Sequence, residues 1–344
     1  MNTAPTTTPL RVALIGCGGI AEDHLRGYLA LDPGLGRLAT ACDIDLARAE
    51  NLASRAGANG VNDYAAVLAD ADIDAVDICL PHHLHLQAIV DAARAGKHVL
   101  CEKPLCLTLD EARQISEEVA ASGVTFMAAH NQLFSAQVSR IRQLIDQGAI
   151  GRVYHAIVVD TFAAPFTAET VGWRGVASSS GGGELIDTGY HPLYILMHLI
   201  GEEPTGVSTA LPRQRLSFLQ GEDTGHVLVH FGGGATGYVI TSWAYGTPGL
   251  DRIVVIGERG TIRCDGTRLV LTPTEGEALV EELPERDTFA AEIEHFATSV
   301  RAGVVPLASV DDAARVLGVV LASYADARRG PSAVPPRTET DDER

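Results

Sequence analysis

The sequence predicts an α/β fold. We expect a doubly wound parallel sheet in the first part of the chain, followed by an α+β part with a large open, mostly antiparallel sheet. Short apolar runs alternate with helix-like patterns up to about residue 129, which is typical of βα units in a parallel sheet. The first run ends in a glycine-rich turn. After residue 152 the apolar runs succeed one another across Gly-rich turns, which is typical of an antiparallel sheet.

Length and composition favour two folded domains. The chain has 344 residues, 46% of them hydrophobic, which is enough for two cores. We expect a first domain at residues 10–130 and a second at 131–330, whose closing helices can pack back on the first. Residues 1–9 and 331–344 are polar or Pro-rich, and we predict that they are disordered.

Charge and cysteine usage exclude several protein classes. The net charge of −18 disfavours nucleic acid and anionic membranes as partners. No apolar run approaches the ~20 residues of a membrane span, and we expect no signal peptide at the N-terminus. The six cysteines form no CxxC pair, so we predict a reduced, cytoplasmic protein without disulfides.

The first strand leads into a dinucleotide-binding turn with the spacing G-x-G-x-x-A. Gly16 permits the tight turn, Gly18 lets the backbone approach a pyrophosphate, and Ala21 lets the next helix pack closely. The second strand ends at Asp43, about 20 residues further on, where a carboxylate binds the adenosine ribose and repels a 2′-phosphate. The glycine turn therefore predicts a dinucleotide cofactor, and Asp43 predicts that this cofactor is NAD and not NADP. The competing role for Asp43, a helix cap, suits Asp45 better.

The βα pattern continues to residue 129. Strands are predicted at 11–16, 38–43, 75–79, 98–101 and 125–129. Helices are predicted at 21–31, 45–56, 63–69, 84–95 and 108–122. Thr108 and Glu111 form a capping box at the start of the last of these helices. A helix at 136–147 then leads out of the sheet.

The second half begins with a strand at 153–160 and a long irregular stretch at 161–180, and structureless stretches of that length usually line a site. An apolar helix is expected to end at residue 200. Six strands follow, at 207–211, 226–231, 235–243, 252–257, 260–264 and 268–271. Two helices close the chain, at 289–301 and 311–328.

Two lysines stand out among the 26 lysines and arginines of the chain. Lys97 is predicted to lie in a turn at the start of a strand. Lys103 lies just beyond the carboxyl end of that strand, where ligands bind in open α/β sheets. A lysine is a compact point charge that arginine does not replace well, so Lys103 is a candidate functional residue.

A second group of candidates is histidine-rich. His82, His83 and His85 follow the 75–79 strand at the cofactor edge of the sheet. A metal site there would lack an acid or cysteine to complete the ligand set, so we predict no metal. A role beside the nicotinamide or the substrate is the better interpretation.

Asp187 and His191 form the third group. Their i, i+4 spacing places both side chains on one helical face, directly after three glycines. An aspartate beside an imidazole can orient it and support its role as a proton acceptor. The alternative is a buried histidine on a packing helix.

These motifs together resemble the Gfo/Idh/MocA family of sugar and cyclitol dehydrogenases over residues 10–330. The resemblance rests on the segments GCGGIA, AGKHVLCEKPL, Trp173-Arg174 and GGGELIDTGYH. The resemblance implies a Rossmann domain followed by an open sheet whose outer face makes dimers or tetramers. It implies a catalytic set of Lys103, Asp187 and His191. It implies that the substrate contacts Lys103, Asn131, Trp173, Arg174, Asp187 and His191. The implied NAD-binding residues are Gly16, Gly18, Gly19, Ile20, Asp43, Leu80, Pro81, His82, His85, Glu102, Lys103 and Asn131.

The chain departs from the family pattern at three places. Leu80 and His82 replace the Thr and Asn of T-P-N-x-x-H. The segment that often reads N-x-R-F has lost its arginine at Leu133. Tyr194 stands where an acid often follows the catalytic histidine by three residues.

The function predicted is NAD-dependent oxidation of a secondary ring hydroxyl of a sugar, aminosugar or aminocyclitol, or reduction of the ketone. His191 would accept the proton, Asp187 would orient it, and Lys103 would hydrogen-bond the reacting oxygen. An amino-bearing substrate, as in aminoglycoside metabolism, is suggested by Asp160, Glu169 and Glu184. A nucleotide-linked sugar is the competitor, with Arg174, Arg213 and Arg215 as its basic cluster.

Two other activities start from the same residues. An NAD-using glycosidase would oxidise a sugar transiently and eliminate the glycosidic group. A non-catalytic NAD-binding regulator would have no need of Lys103, Asp187 and His191, so their presence counts against it.

Overall fold

The first sheet is wholly parallel and six-stranded. A computed structural model describes residues 8–330 of the chain; both predicted disordered ends fall largely or wholly outside these residues. The strand order is β3-β2-β1-β4-β5-β6, so the chain reverses direction across the sheet between β1 and β4. The strands are β1 (Leu10–Ile15), β2 (Gly36–Cys42), β3 (Asn59–Val61), β4 (Ala75–Ile78), β5 (His98–Glu102) and β6 (Phe126–Ala129).

Three of the five helices that connect the described strands begin at side-chain caps. Asp45 caps the second helix through the Ala47 amide, and Thr108 and Glu111 form both hydrogen bonds of the predicted capping box. The prediction of Asp45 as a cap residue is therefore confirmed. The helices are α1 (Ala21–Ala30), α2 (Leu46–Ala56), α3 (Tyr64–Ala69), α4 (His85–Arg94) and α5 (Leu109–Ser122).

The second sheet has eight strands and is antiparallel except for one pair. Its order is β14-β13-β12-β11-β7-β10-β9-β8, and only β7 and β10 run parallel among the described residues. The strands are β7 (Val153–Thr161), β8 (Pro204–Ala210), β9 (Thr224–Phe231), β10 (Thr236–Ser242), β11 (Ile253–Gly257), β12 (Gly260–Cys264), β13 (Arg268–Pro273) and β14 (Leu279–Glu282). The predicted fold class is confirmed. The short strands β3 and β14 were not predicted, because each presents few buried apolar residues.

Helices cover one face of this sheet and join it to the first. They are α6 (Ala136–Asp146), α7 (Ala177–Ser180), α8 (Glu184–Asp187), α9 (Tyr190–Ile200), α10 (Thr288–Ala302) and α11 (Val310–Arg329). The Leu196 side chain of α9 lies over β10, where a Cβ on Gly237 would come within 2.5 Å of it. The closing helix α10 packs on α1, where the Ile293 side chain contacts Gly27. None of the helices in the described part of the chain is both long and apolar enough to cross a bilayer.

One predicted helix is divided in the structure. The segment leading to Ile200 consists of α8 and α9, separated by Thr188 and Gly189. Asp187 ends α8, and His191 lies in the first turn of α9. The i, i+4 spacing of Asp187 and His191 therefore does not place their side chains on the face of one continuous helix, and each side chain can have different partners.

Candidate active site

A cavity of about 800 Å³ runs along the carboxyl ends of the parallel strands and beneath the second sheet's helices. It is the size of a nucleotide cofactor together with a small substrate. The first domain and its neighbouring turns contribute Ile15, Gly16, Gly18, Gly19, Ile20, Cys42, Asp43, Ile44, Arg48, Asn62, Tyr64, Cys79, Leu80, Pro81, His82, Leu84, Glu102, Lys103, Asn131 and Gln132. The second part contributes Trp173, Arg174, Asp187, Thr188, His191 and Phe289.

The glycine turn fits a dinucleotide. Gly16 has φ of +93°, and a Cβ there would lie 2.6 Å from the Cys79 carbonyl oxygen, so only glycine is accommodated. A Cβ on Gly18 or Gly19 would meet no heavy atom within 4 Å, so the backbone of the turn is open to the cavity. No side chain caps the N-terminus of α1, which leaves that end available for phosphate.

Asp43 is held rigidly at the cavity wall. Its Oδ2 accepts a hydrogen bond of 2.8 Å from the Cys17 amide, and its Oδ1 accepts one of 2.9 Å from the Asp45 amide. The glycine turn thus fixes the carboxylate that is predicted to face the adenosine ribose. An anion in this place disfavours the 2′-phosphate of NADP.

Glu102 belongs to a buried network that the sequence did not reveal. The His24 ring lies between two carboxylates, with Nδ1 2.8 Å from Asp77 Oδ2 and Nε2 3.1 Å from Glu102 Oε1. Burial opposes the charged imidazole, but Asp77 outweighs it and the pKa of His24 is raised well above its usual value. The Tyr28 hydroxyl donates to Asp77 as well. The only signal for this network in the sequence is His24, three residues beyond Ala21.

This network also contains the one group of potential metal ligands found among residues 8–330. Single ligand atoms of His24, Asp77 and Cys79 lie within 4.8 Å of one another. Burial raises the pKa of the Cys79 thiol, and both nitrogens of His24 already face carboxylates. The ligand atoms that a metal would need on His24 are thus already engaged in hydrogen bonds within the network.

Lys103 bridges the two parts of the protein. The Lys103-Pro104 peptide is cis. The Nζ atom donates to the Asp187 carboxylate at 2.7 Å and to the Asp187 carbonyl at 2.9 Å. Arg174 Nε donates to the other carboxylate oxygen at 2.7 Å. Burial disfavours the carboxylate, but Lys103 and Arg174 outweigh it and hold the pKa of Asp187 well below its usual range.

The predicted hydrogen-bonded orientation of His191 by Asp187 is wrong. Both carboxylate oxygens of Asp187 face cations, and His191 Nδ1 lies 2.7 Å from the Tyr194 hydroxyl instead. Tyr194 was recognised in the sequence only as a departure from a pattern. Burial lowers the pKa of His191 well below its usual value, and the nearby Lys103 lowers it further, while the charge of Asp187 opposes them. The imidazole is therefore neutral at neutral pH.

The histidines of the 82–85 segment have different positions. His82 lines the cavity, donates from Nδ1 to the Ser180 carbonyl at 2.8 Å, and packs edge-on against Trp173 with ring centres 4.5 Å apart. Burial lowers the pKa of His82 to about 3. His85 does not line the cavity, which corrects its prediction as a cofactor residue. Its two ring nitrogens face the carbonyls of Pro104 at 2.7 Å and Leu80 at 2.9 Å, so it buttresses two loops from behind.

Of two further residues singled out in the sequence, Asn131 lies in the cavity and Lys97 lies outside it. Asn131 lines the cavity and donates to Thr288 Oγ1 at 3.1 Å. Lys97 donates to the carbonyls of Asp70 and Ile73, as befits a turn residue.

The three glycines before Glu184 serve packing. A Cβ on Gly182 would lie 2.1 Å from the Tyr324 hydroxyl, and one on Gly183 would lie 2.0 Å from the Glu222 carbonyl. This close packing is enough to explain why glycine occupies these positions, and no bound ligand is needed to account for it. They let α8 approach α11 closely enough to present Asp187 to the cavity.

Apart from Arg174, which lines the cavity, the groups expected to recognise an amino or a nucleotide substituent are engaged elsewhere. Asp160 pairs with Arg252 at 3.3 Å, Glu169 bonds to Thr167, and the buried Glu184 accepts a hydrogen bond from Thr241. None of these three acids lines the cavity. Likewise, the side chains of Arg213 and Arg215 bond to backbone carbonyls of nearby loops: Leu219, Ala164 and Trp243.

Comparisons with known proteins agree with this geometry. Residues 10–130 match the family described as "Oxidoreductase family, NAD-binding Rossmann fold", and residues 138–263 match the "GFO/IDH/MocA C-terminal domain". The myo-inositol 2-dehydrogenase of Thermotoga maritima is 26% identical over 88% of this chain and 92% of its own. The D-glucoside 3-dehydrogenase of Escherichia coli is 33% identical over 58% of this chain, and the alignment spans only 57% of that relative.

Solved structures share the whole fold. The aldose-aldose oxidoreductase of Caulobacter crescentus, complexed with glycerol, superimposes with a TM-score of 0.85 at 24% identity, over 94% of this chain and 98% of its own. A levoglucosan dehydrogenase complex with NADH and levoglucosan gives a TM-score of 0.84 at 24% identity, over 94% and 98% of the two chains. With both family regions matched and the NAD-binding turn in place, the chain belongs to the Gfo/Idh/MocA family of NAD-binding oxidoreductases.

Proposed function

We propose that this protein oxidises a secondary ring hydroxyl of a sugar or cyclitol with NAD, or reduces the corresponding ketone. The observation that carries the proposal is the meeting of Lys103, Asp187 and His191 in the same cavity as the glycine turn. A binding protein or regulator would have no use for a neutral imidazole and a fixed ammonium at the inner end of a cofactor cavity.

NAD fits the residues at the outer part of this cavity. Gly18 and Gly19 would lie against the pyrophosphate and Asp43 against the ribose. When bound, the nicotinamide supplies the hydride chemistry. The chain's own residues position the substrate and manage its proton.

His191 is proposed as the proton acceptor. Its Nδ1 is bonded to Tyr194, and Nε2 forms no hydrogen bond among residues 8–330. The neutral ring can take the hydroxyl proton at Nε2 as the carbon is oxidised. Because burial and Lys103 depress the pKa of His191, the base form persists to acidic pH.

Lys103 is proposed to bind the reacting oxygen. Asp187 holds the ammonium through its carboxylate and its carbonyl, which leaves the third N–H of Nζ for a ligand. A fixed positive charge at that oxygen stabilises the negative charge that develops as the proton leaves. Asp187 is therefore a positioning residue for Lys103 and Arg174.

The cavity favours an uncharged polyhydroxylated ring over an aminosugar. Its inner end holds two cations, Lys103 and Arg174, both of which pair with the Asp187 carboxylate. The Glu102 carboxylate also lines the cavity there, but it faces His24 and accepts from the Lys103 backbone N–H. Among the described residues that line this end, both acids thus already have partners, which leaves neither free to receive a substrate ammonium. The named activities of the relatives, on glucosides, levoglucosan and inositol, suit a neutral ring as well.

A spectrophotometric screen tests the proposal. Purified protein and NAD are incubated with a panel of sugars and cyclitols, each paired with its amino analogue, and NADH formation is followed. We expect turnover on at least one neutral ring. We also expect Lys103→Arg to lower kcat by about 100-fold, because the planar guanidinium of arginine cannot occupy the site of the compact lysine ammonium. Normal turnover by Lys103→Arg would refute the proposed role of the ammonium.

The same assay separates the competing activities. Release of an aglycone from a glycoside without net NADH would identify the redox-neutral glycosidase. NAD binding without turnover on any ring would favour the regulator. A higher kcat/KM on the amino member of each pair would restore the aminosugar substrate.

The proposal includes the assembly and location of the protein. The outer face of the second sheet exposes Tyr154 and Ile256, which suits a homo-oligomer formed through that face. All six cysteines are free thiols, five of them buried, which suits the reducing cytoplasm. Light scattering of the purified protein measures the subunit count.

A further inference from the structure

Within residues 8–330 the ring of His191 has one hydrogen-bond partner, and that partner is a hydroxyl group. Tyr194 lies one turn further along α9, almost completely buried, and its hydroxyl is 2.7 Å from His191 Nδ1. A carboxylate in this place can only accept a hydrogen bond, and would fix the proton on Nδ1. A hydroxyl can accept or donate, so its other contacts decide where the imidazole carries its proton.

Two further groups contact the Tyr194 hydroxyl. The Gln132 backbone N–H donates to it at 3.2 Å, which occupies one lone pair. The Asn131 side-chain oxygen lies 3.4 Å away on the other side. In the structure the amide is oriented with its Nδ2 donating to Thr288 Oγ1 at 3.1 Å.

Counting hydrogens distinguishes the two possible arrangements. If the tyrosine hydrogen points to His191 Nδ1, Asn131 Oδ1 has no hydrogen-bond donor among the described residues. If it points to Asn131, then His191 Nδ1–H donates to the tyrosine oxygen, and Nδ1, the tyrosine hydroxyl and Asn131 Oδ1 each have a partner. Leaving a buried acceptor unpaired is costly, so the second arrangement is favoured. Burial raises the pKa of Tyr194 well above its usual value, so the hydroxyl keeps its hydrogen.

We propose that Tyr194, directed by Asn131 and Gln132, is the positioning residue that holds His191 as its Nδ1–H tautomer and leaves Nε2 free to accept the substrate proton. The inference rests on the proposed role of His191 as the base. It replaces the orienting role that the sequence suggested for Asp187, whose two oxygens are engaged by Lys103 and Arg174. In the oxidation, the hydroxyl proton would move to Nε2 and the hydride of the same carbon would be taken up by bound NAD, leaving the ketone, NADH and an imidazolium.

Nitrogen NMR tests the tautomer without any substrate. Protein labelled with ¹⁵N-histidine is measured at neutral pH, and the His191 signals are identified by their absence in His191→Gln. We expect Nδ1 to be protonated in the wild type, and Tyr194→Phe to shift the proton to Nε2. A wild-type ring protonated on Nε2, or a tautomer that Tyr194→Phe leaves unchanged, would overturn the inference.

Kinetics supply the second readout. We expect Tyr194→Phe to lower kcat by about 10- to 100-fold with little change in the Kd for NAD. Tyr194→Glu restores an acceptor for Nδ1–H, so we expect it to be more active than Tyr194→Phe and to move the acid limb of kcat/KM to higher pH. A packing role predicts the opposite order, since phenylalanine fits the space better than glutamate.

A matched control is available in the second sheet. Tyr238 places its hydroxyl 3.0 Å from His226 Nδ1, outside the cavity. Tyr238→Phe removes the same kind of contact and should leave kcat unchanged. If the NMR result holds while no sugar or cyclitol is oxidised, the proposed function fails and the role of Tyr194 in setting the tautomer stands.

Discussion

Replacing Asp187 with asparagine removes the charge on which two cations converge. The side chains of Asp187 and Lys103 are only 7% and 11% exposed, whereas Arg174 is 37% exposed. Breaking a buried ion pair by removing one partner costs about 3–5 kcal/mol, while a pair with an exposed partner contributes about 0–1 kcal/mol. The Lys103 contact therefore dominates. Because asparagine keeps one oxygen acceptor for it, we expect Asp187→Asn to lower the free energy of unfolding by about 2–4 kcal/mol.

The pH dependence of this loss follows from the pKa of Asp187. The two cations hold it below its usual value of 3.8, so the carboxylate's contribution is complete above that pH and disappears as the pH falls through the folded-state value. The difference between wild type and Asp187→Asn should thus be constant from about pH 5 to 8 and should narrow below 3.8.

Urea titrations followed by tryptophan fluorescence, without NAD, measure this difference. Asp160→Asn is the matched control, because burial raises the pKa of Asp160 despite its contact with Arg252. A neutral amide should be tolerated there or stabilise the fold. A loss below about 0.5 kcal/mol in Asp187→Asn would refute the reasoning, because that is the size expected of a surface pair. A difference that keeps growing between about pH 5 and 8 would also refute it.

Three further predictions concern the cofactor side and the buried network. Asp43→Asn should weaken NAD binding by about 10-fold and reduce the preference over NADP, measured by fluorescence titration with both cofactors, since the amide neither repels a phosphate nor binds two ribose hydroxyls as well. Burial raises the pKa of Glu292 well above 4.5, and neither carboxyl oxygen has a hydrogen-bond partner in the part of the chain that the structure describes. Glu292→Met should therefore raise the free energy of unfolding by about 1–3 kcal/mol at neutral pH, and the gain should shrink toward pH 4.5 and below, where the carboxyl is neutral in both states. The pKa of His24 is raised above 6.5, so its ion pairs stabilise the fold fully below that pH and are lost as pH rises through the folded value. The destabilisation of His24→Gln should hence be larger at pH 6 than in alkaline buffer; an equal loss at both would contradict an imidazolium in that place.

Local sequence patterns predict the residues at the proposed cofactor end of the cavity. The contacts at its inner end depend on residues that are far apart in the sequence. The glycine turn and Asp43 could be predicted because backbone spacing within one βα unit fixes where they meet. The partner of Asp187 could not, because Lys103 is 84 residues away and helical spacing reports only on near neighbours. His85 matches a motif position, yet its ring turns inward to two carbonyls, a choice that only the packed loops determine.

The helix α10 also has a consequence for the order in which the protein becomes functional. Phe289 forms part of the cavity wall, Thr288 accepts from Asn131, and Asp287 binds Arg26 of α1 at 2.9 Å. A ribosome that has released only the first 280 residues has thus made every glycine and acid of the cofactor site but not the wall that closes it. We therefore expect tight NAD binding to require α10, so that the coenzyme stabilises molecules that contain this helix over those that lack it.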